Sequence, residues 1–331
     1  MRSMRTLGAV PGQDARSVPG VKSETLSGPQ VEPERARRLM RRATNFAVAA
    51  AFLMIVAKLG AWLVTDSVSL LSSLADSVMD VLASLINLFA VRQALQPADR
   101  EHRFGHGKAE PLAGLGQAVF ITASGIFLIV EAIGRIMEPE PIERAPVGIG
   151  VMVFALLVTA VLVAYQRRVV RLTGSTAIKA DSLHYASDIL TNIGVIAALV
   201  LALTLGWGLA DPIIAIVIAG VIIHAAYQVG RSAIEQLMDH ELPEADRARI
   251  RQIVLEHPEV LDCHDLRTRR AGISAFIQVH VEMDRSLTLL RAHEISDDVE
   301  DRIREAFPHA EVFIHADPEG IEEPMPSFAR R

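Results

Sequence analysis

The chain has 331 residues, half of them hydrophobic and 5% aromatic, with a formal net charge of −6. That negative balance argues against a nucleic-acid partner, whose phosphates call for a basic surface. The single cysteine, Cys263, excludes an intramolecular disulfide and a thiolate metal cage.

Residues 1–40 show no apolar periodicity and are rich in Pro, Gly, Ser and Arg, so they are expected to form a disordered cytoplasmic terminus. The opening MRSMRTLGAVPG has no apolar run of the kind a signal peptide needs. A spanning helix requires about 20 apolar residues. Six stretches reach that length, at roughly 45–65, 67–92, 112–137, 146–169, 178–205 and 211–234. Turn-forming segments such as EPEPIERAP at 138–146 and GWGLADP at 206–212 separate them. A six-span membrane domain is therefore expected over 41–236, a cytoplasmic domain over 237–318 and a flexible tail over 319–331.

Basic residues set the sidedness. Arg35, Arg37, Arg38, Arg41 and Arg42 precede the first span, and Arg92, Arg100, Arg103 and Lys108 follow the second. Arg167, Arg168, Arg171 and Lys179 follow the fourth, whereas the alternate loops hold little beyond Arg144. Both termini are expected in the cytoplasm.

The second span, LLSSLADSVMDVLASLINLF, carries Asp76 and Asp80, four apart on one helix face. The fifth carries His184 and Asp188 at the same spacing, in KADSLHYASDILTN. A charged group mid-bilayer costs roughly 2.5–3.5 kcal/mol on insertion scales, so such groups face one another or a wet cavity. Two such pairs on neighbouring helices can converge on one point as four ligands. Three carboxylates and one imidazole suit a tetrahedral divalent ion, with Zn²⁺ the natural fit. The lack of thiolate disfavours Cu⁺, while Cd²⁺, Fe²⁺ and Mn²⁺ fit the same oxygen-rich set. Metal binding needs deprotonated ligands, so protons and metal compete for the same lone pairs. If the site opens alternately to each side, that competition yields metal–proton antiport. Lys58 and Glu131 read as side chains snorkelling toward a surface. Asn87 and Asn192 read as helix contacts or support for the site, and His224 has no visible partner.

Between the second and third spans, PADREHRFGHGKAEP holds Asp99, His102 and His106, plausible ligands beside the bilayer. The C-terminal part reads as αββαβ. A helix over 243–257 precedes a strand near 260–268. The alternating ISAFIQVHVEM follows, with Ile273, Ala275, Ile277, Val279 and Val281 on one face. A helix over 287–306 and the strand AEVFIHAD close the domain. His240, His257, His309 and Cys263 read as structural or surface residues.

Six spans, Asp-x-x-x-Asp in the second, His-x-x-x-Asp in the fifth and a His-rich tail resemble the cation diffusion facilitator family, in particular its bacterial zinc/ferrous-iron efflux subgroup. The strings SLLSSLADSVMD, LQPADREHRFGHGKAE, KADSLHYASD and HDLRTR carry the resemblance over about residues 40–318. It implies an all-α six-helix transmembrane bundle with a ferredoxin-like cytoplasmic domain. It also implies a homodimeric, proton-driven exporter in the bacterial cytoplasmic membrane, and a transport site at Asp76, Asp80, His184 and Asp188. It further implies a second metal at Asp99, His102 and His106, and an ion pair between Lys108 and Asp239. A dinuclear zinc site at the dimer interface would use His264, His280, His293, His315 and Asp317. The tail would act as a sensor in which bridging metal tightens the dimer. Ala316, between the last His and Asp, departs from the pattern in offering no side-chain ligand. Two other readings are an exporter chiefly of Fe²⁺, Mn²⁺ or Cd²⁺ and a membrane-anchored metal sensor without transport. An intramembrane zinc protease would need His-Glu-x-x-His, which the chain lacks.

Overall fold

The computed structural model describes residues 31–65, 68–137, 146–205 and 209–321. The remainder of the segments expected to be disordered at 1–40 and flexible at 319–331 lies outside them, as does most of the 138–146 turn. Six long helices come first: α1 (Pro33–Thr65), α2 (Val68–Ala94), α3 (Ala109–Met137), α4 (Pro146–Thr173), α5 (Thr176–Leu205) and α6 (Ala210–Leu237). Among the described residues five of them, α5 excepted, are long and apolar enough to cross a membrane. α5 matches them at 30 residues but carries Lys179, Asp181, His184 and Asp188 in its first half. Phe52, Leu63, Phe89, Phe127, Leu157 and Val221 stand exposed on the bundle, an apolar surface of the kind that lipid covers.

α1 begins at Pro33, inside the segment expected to lack structure. Pro33 suits a first helical position, where its missing N–H is no loss, and Glu34 favours the positive helix end. Ala36, Met40, Ala43 and Ala47 are buried at helical spacing. Met40 and Ala43 pack with Val91 of α2, Leu95 just beyond it and Ile178 of α5. The Arg-rich composition hides this narrow stripe. α3 and α6 approach closely through small residues: a Cβ on Gly125 would lie 2.7 Å from Ile223 Cγ1.

The C-terminal domain comprises α7 (Glu244–Leu255), β1 (Val260–Ala271), β2 (Ser274–Met283), α8 (Leu289–Ala306) and β3 (Ala310–Pro318). β2 is central, antiparallel to β1 and parallel to β3, the mixed sheet of the expected αββαβ order. Ala275, Ile277, Val279 and Val281 face a core closed by Ile250 and Val254 of α7 and by Ile295, Val299 and Ile303 of α8. Ile273, grouped with them by alternation, instead packs against the Met40–Ile178 cluster of the bundle.

The two parts meet where the β1–β2 turn enters the end of the bundle. Gly272 has φ +62°, and a Cβ there would lie 3.0 Å from Gly107 O and 3.1 Å from Glu110 Oε2. Glu110 is buried and accepts hydrogen bonds from the Ser175 hydroxyl and from the Thr176 and Ala177 N–H groups. It thus caps α5 from α3, satisfying N–H groups that a helix start leaves open. Arg270, beside the turn, is mostly buried and faces the carboxylates of Asp246 and Glu110.

Candidate metal sites

Asp80 on α2 and His184 on α5 face each other, with Oδ1 and Nε2 3.0 Å apart. One ligand atom each from Asp80, His184 and Asp188 lies within 4.8 Å of the others. Asp76 lies one turn along α2, lining the same cavity of about 610 Å³, with its carboxyl outside that tight group. The structure thus gathers three of the four residues closely and places the fourth on the wall.

The site is braced from several helices. Asn192 Nδ2 donates to Asp188 O at 2.9 Å, Tyr185 and Ser84 share a hydrogen bond of 2.7 Å, and Phe120 meets the His184 ring edge-on. Asp181 is a further buried acid beside the site that the i, i+4 pairs do not single out. It is 1% exposed and accepts from Gln166 Nε2 at 2.6 Å. Its signal was available, because it precedes His184 by three residues and Asp188 by seven on one face of α5. The structure also corrects Lys58, which does not snorkel. Its Nζ donates to Ser73 O at 3.0 Å and Ser77 Oγ at 2.7 Å, and it lines the carboxylate cavity. An ammonium inside apolar helices goes where acceptors and negative charge are. Glu131 pairs with Arg135 at 2.7 Å, and His224 with Gln228 at 3.0 Å.

Asp99, His102 and His106 gather in the α2–α3 loop with ligand atoms within 4.8 Å of one another. Asp99 Oδ1 accepts the His102 N–H at 2.7 Å and the Glu101 N–H at 2.9 Å. Those bonds, the His102 N–H first, hold its carboxyl below the usual carboxylate range. Gly105, at φ +75°, turns the chain so that His106 Nε2 comes within 3.3 Å of Asp99 Oδ2.

In the C-terminal sheet, register does the gathering. His264 of β1 lies opposite His280 of β2, which lies beside His315 of β3. Asp317, 6% exposed, reaches all three: Oδ2 is 2.9 Å from His280 Nδ1 and 3.4 Å from His264 Nε2, and Oδ1 is 3.1 Å from His315 Nε2. His293 is not brought to them within one chain. It stands exposed on α8, 3.6 Å from Asp297. Asp265 joins instead, its Oδ2 3.9 Å from His280 Nε2 and 2.7 Å from Arg267 Nη2. An irregularity in β1 between His264 and Arg267 and a φ of +44° at Asp265 turn it there, which strand alternation could not reveal. Ala316 offers only its carbonyl.

Lys108 Nζ is 3.0 Å from Asp239 Oδ1, and Arg269 Nη1 is 3.4 Å from the same oxygen. Lys108 and Asp239 are about two-fifths exposed, so the pair contributes at most about 1 kcal/mol. Arg269 adds stacking, its guanidinium 4.2 Å from the Phe276 ring centre and 5.3 Å from that of Phe104.

The sequence matches two family models, a cation efflux transmembrane domain over residues 45–238 and a cation efflux protein cytoplasmic domain over 242–319. It is 47% identical over 281 residues to the cation-efflux pump FieF of Salmonella choleraesuis, covering 85% of this chain and 93% of that protein. The Salmonella typhimurium FieF matches to the same extent. Among solved structures, the metal-bound C-terminal domain of the CzcD transporter from Thermotoga maritima aligns with 24% of this chain and 93% of its own, at 28% identity and a TM-score of 0.23. With both halves matched in order, the chain belongs to the cation efflux, or cation diffusion facilitator, family of membrane metal transporters.

Proposed function

We propose that this chain is a homodimeric Zn²⁺/H⁺ antiporter that exports metal across the bacterial cytoplasmic membrane, with both termini in the cytoplasm. The observation that carries the reading is the Asp80–His184 contact of 3.0 Å beside Asp188, set among apolar helices. At that distance a proton lies between two atoms whose lone pairs a metal would take. Metal entry and proton departure are therefore one exchange at one place. The cavity runs from this group toward Ser73, Phe127 and Thr191, on the side of the site away from the C-terminal domain. On the opposite side Tyr185, Gln166 and Asp181 are buried, which fits a form open away from the cytoplasm. Transport, rather than sensing alone, accounts for a cavity at the carboxylates.

In proteoliposomes, an acidic lumen is expected to raise zinc uptake several-fold over a symmetric pH, with Cd²⁺, Fe²⁺ and Mn²⁺ measured alongside to rank the substrates. Uptake indifferent to the gradient would overturn antiport.

For the C-terminal site, we infer that His264, His280, His315 and Asp317 hold metal within one chain and that His293 completes it from a second copy. His293→Ala is then expected to abolish metal-induced tightening of the dimer while leaving residual transport. Analytical ultracentrifugation with and without Zn²⁺ measures the first, and complete loss of flux would show that the tail does more than regulate.

A further inference from the structure

Lys58 is the cationic residue in the described lining of the transport cavity, whose other ionisable groups are Asp76, Asp80, His184 and Asp188. Its ammonium rests on Ser73 and Ser77 of α2. Those two alternate with Asp76 and Asp80 along one face, since residues three and four apart on a helix are neighbours. Ser77 is fully buried, so the contact lies within the helix packing. One side chain of α1 thus both holds the ligand-bearing face of α2 and brings a positive charge to it.

The charge count gives that placement a purpose. Three carboxylates and one ammonium leave two negative charges when His184 is neutral, the complement of a single divalent cation. Among apolar helices unbalanced charge is costly, and two like charges near each other repel several times more strongly than in water. Without the ammonium the cavity would carry a third negative charge and would hold a divalent ion far more tightly than a carrier that must release it can tolerate.

We propose that Lys58 is an internal counter-charge of the transport site: it matches the cavity to a divalent cation and weakens the hold on that cation enough for release. It is a positioning and specificity residue, not a ligand, and the inference rests on the transport site proposed above.

The test uses full-length protein in detergent, titrated with Zn²⁺ by calorimetry. The component of binding that Asp80→Ala removes reports the transport site, apart from the loop and tail. Lys58→Met removes charge and hydrogen bonds together, while Lys58→Gln removes the charge and keeps a donor for Ser73 and Ser77. Both are expected to tighten that component about tenfold or more, and in proteoliposomes to lower KM and kcat together as release slows. Lys58→Arg is expected to stay near wild type. A purely structural tether predicts the opposite sign, with weaker binding that Lys58→Gln partly restores. Unchanged or weaker zinc binding in Lys58→Gln overturns the inference alone. An Asp80→Ala protein that keeps every binding component overturns the transport-site reading and this inference with it.

Discussion

Asp80→Ala is expected to abolish metal transport, cutting zinc flux in proteoliposomes by at least about a hundredfold, since even residues that only support a ligand cost 10–100-fold when lost. Asp80 contacts His184 at 3.0 Å and lies in the same cluster as Asp188. Its removal takes away a ligand and the partner that orients the imidazole. Asp80→Asn, which keeps the shape and loses the charge, is expected to fail nearly as badly. Neither change should unfold the protein. Alanine is the better helix former, and an aspartate mid-bilayer costs roughly 2.5–3.5 kcal/mol on insertion scales. The thermal midpoint of the variant should therefore equal or exceed that of wild type while flux disappears. Near-normal flux would show that the metal crosses elsewhere.

Gly107→Ala is expected to separate the two domains without replacing a candidate ligand. A Cβ at Gly107 would lie 2.3 Å from the Ala271 carbonyl oxygen and 2.7 Å from its carbon, both backbone atoms of the β1–β2 turn that cannot rotate aside. The turn must lift from the bundle. Overpacking of this kind costs typically about 1–3 kcal/mol, and here it also disturbs Glu110, which bonds the start of α5. α5 carries His184 about two turns further on, so the damage should reach transport. A several-fold loss of flux, a lower thermal midpoint and faster proteolysis near 237–243 are the expected results. Gly116→Ala serves as the control, because a Cβ there meets nothing within 4 Å. Wild-type flux and stability in Gly107→Ala would mean that the docked turn is incidental.

Legibility varied with how local the signal was. The i, i+4 pairs Asp76/Asp80 and His184/Asp188 stand out because helix geometry alone puts each pair on one face. The C-terminal elements read correctly because Ala275, Ile277, Val279 and Val281 alternate strictly. Lys58 reads from sequence as a snorkelling residue because a lysine late in a span usually reaches outward, and nothing local shows the Ser73 and Ser77 acceptors on the next helix. The role of Asp181 does not show locally because its partner Gln166 is on α4. Asp265 was hidden by the irregularity that turns it out of alternation. Ile273 kept the period of its strand and yet packs on the bundle, since which neighbour a turn meets is a property of the docked domains.

Periodicity, charge spacing and hydrophobic length are properties of the chain itself. They determine six apolar helices, an αββαβ domain and which ionisable residues ride on which face. What meets across helices depends on packing of segments far apart in the chain. Only the tertiary structure decided that Asp80 rather than Asp76 contacts His184, that Lys58 enters their cavity, and that Glu110 caps α5 beneath the Gly107–Gly272 contact. It also left His293 away from the other tail histidines. The physical reason is that a helix or strand dictates the direction of its own side chains, whereas the partner each one finds is set by the close packing of neighbouring elements.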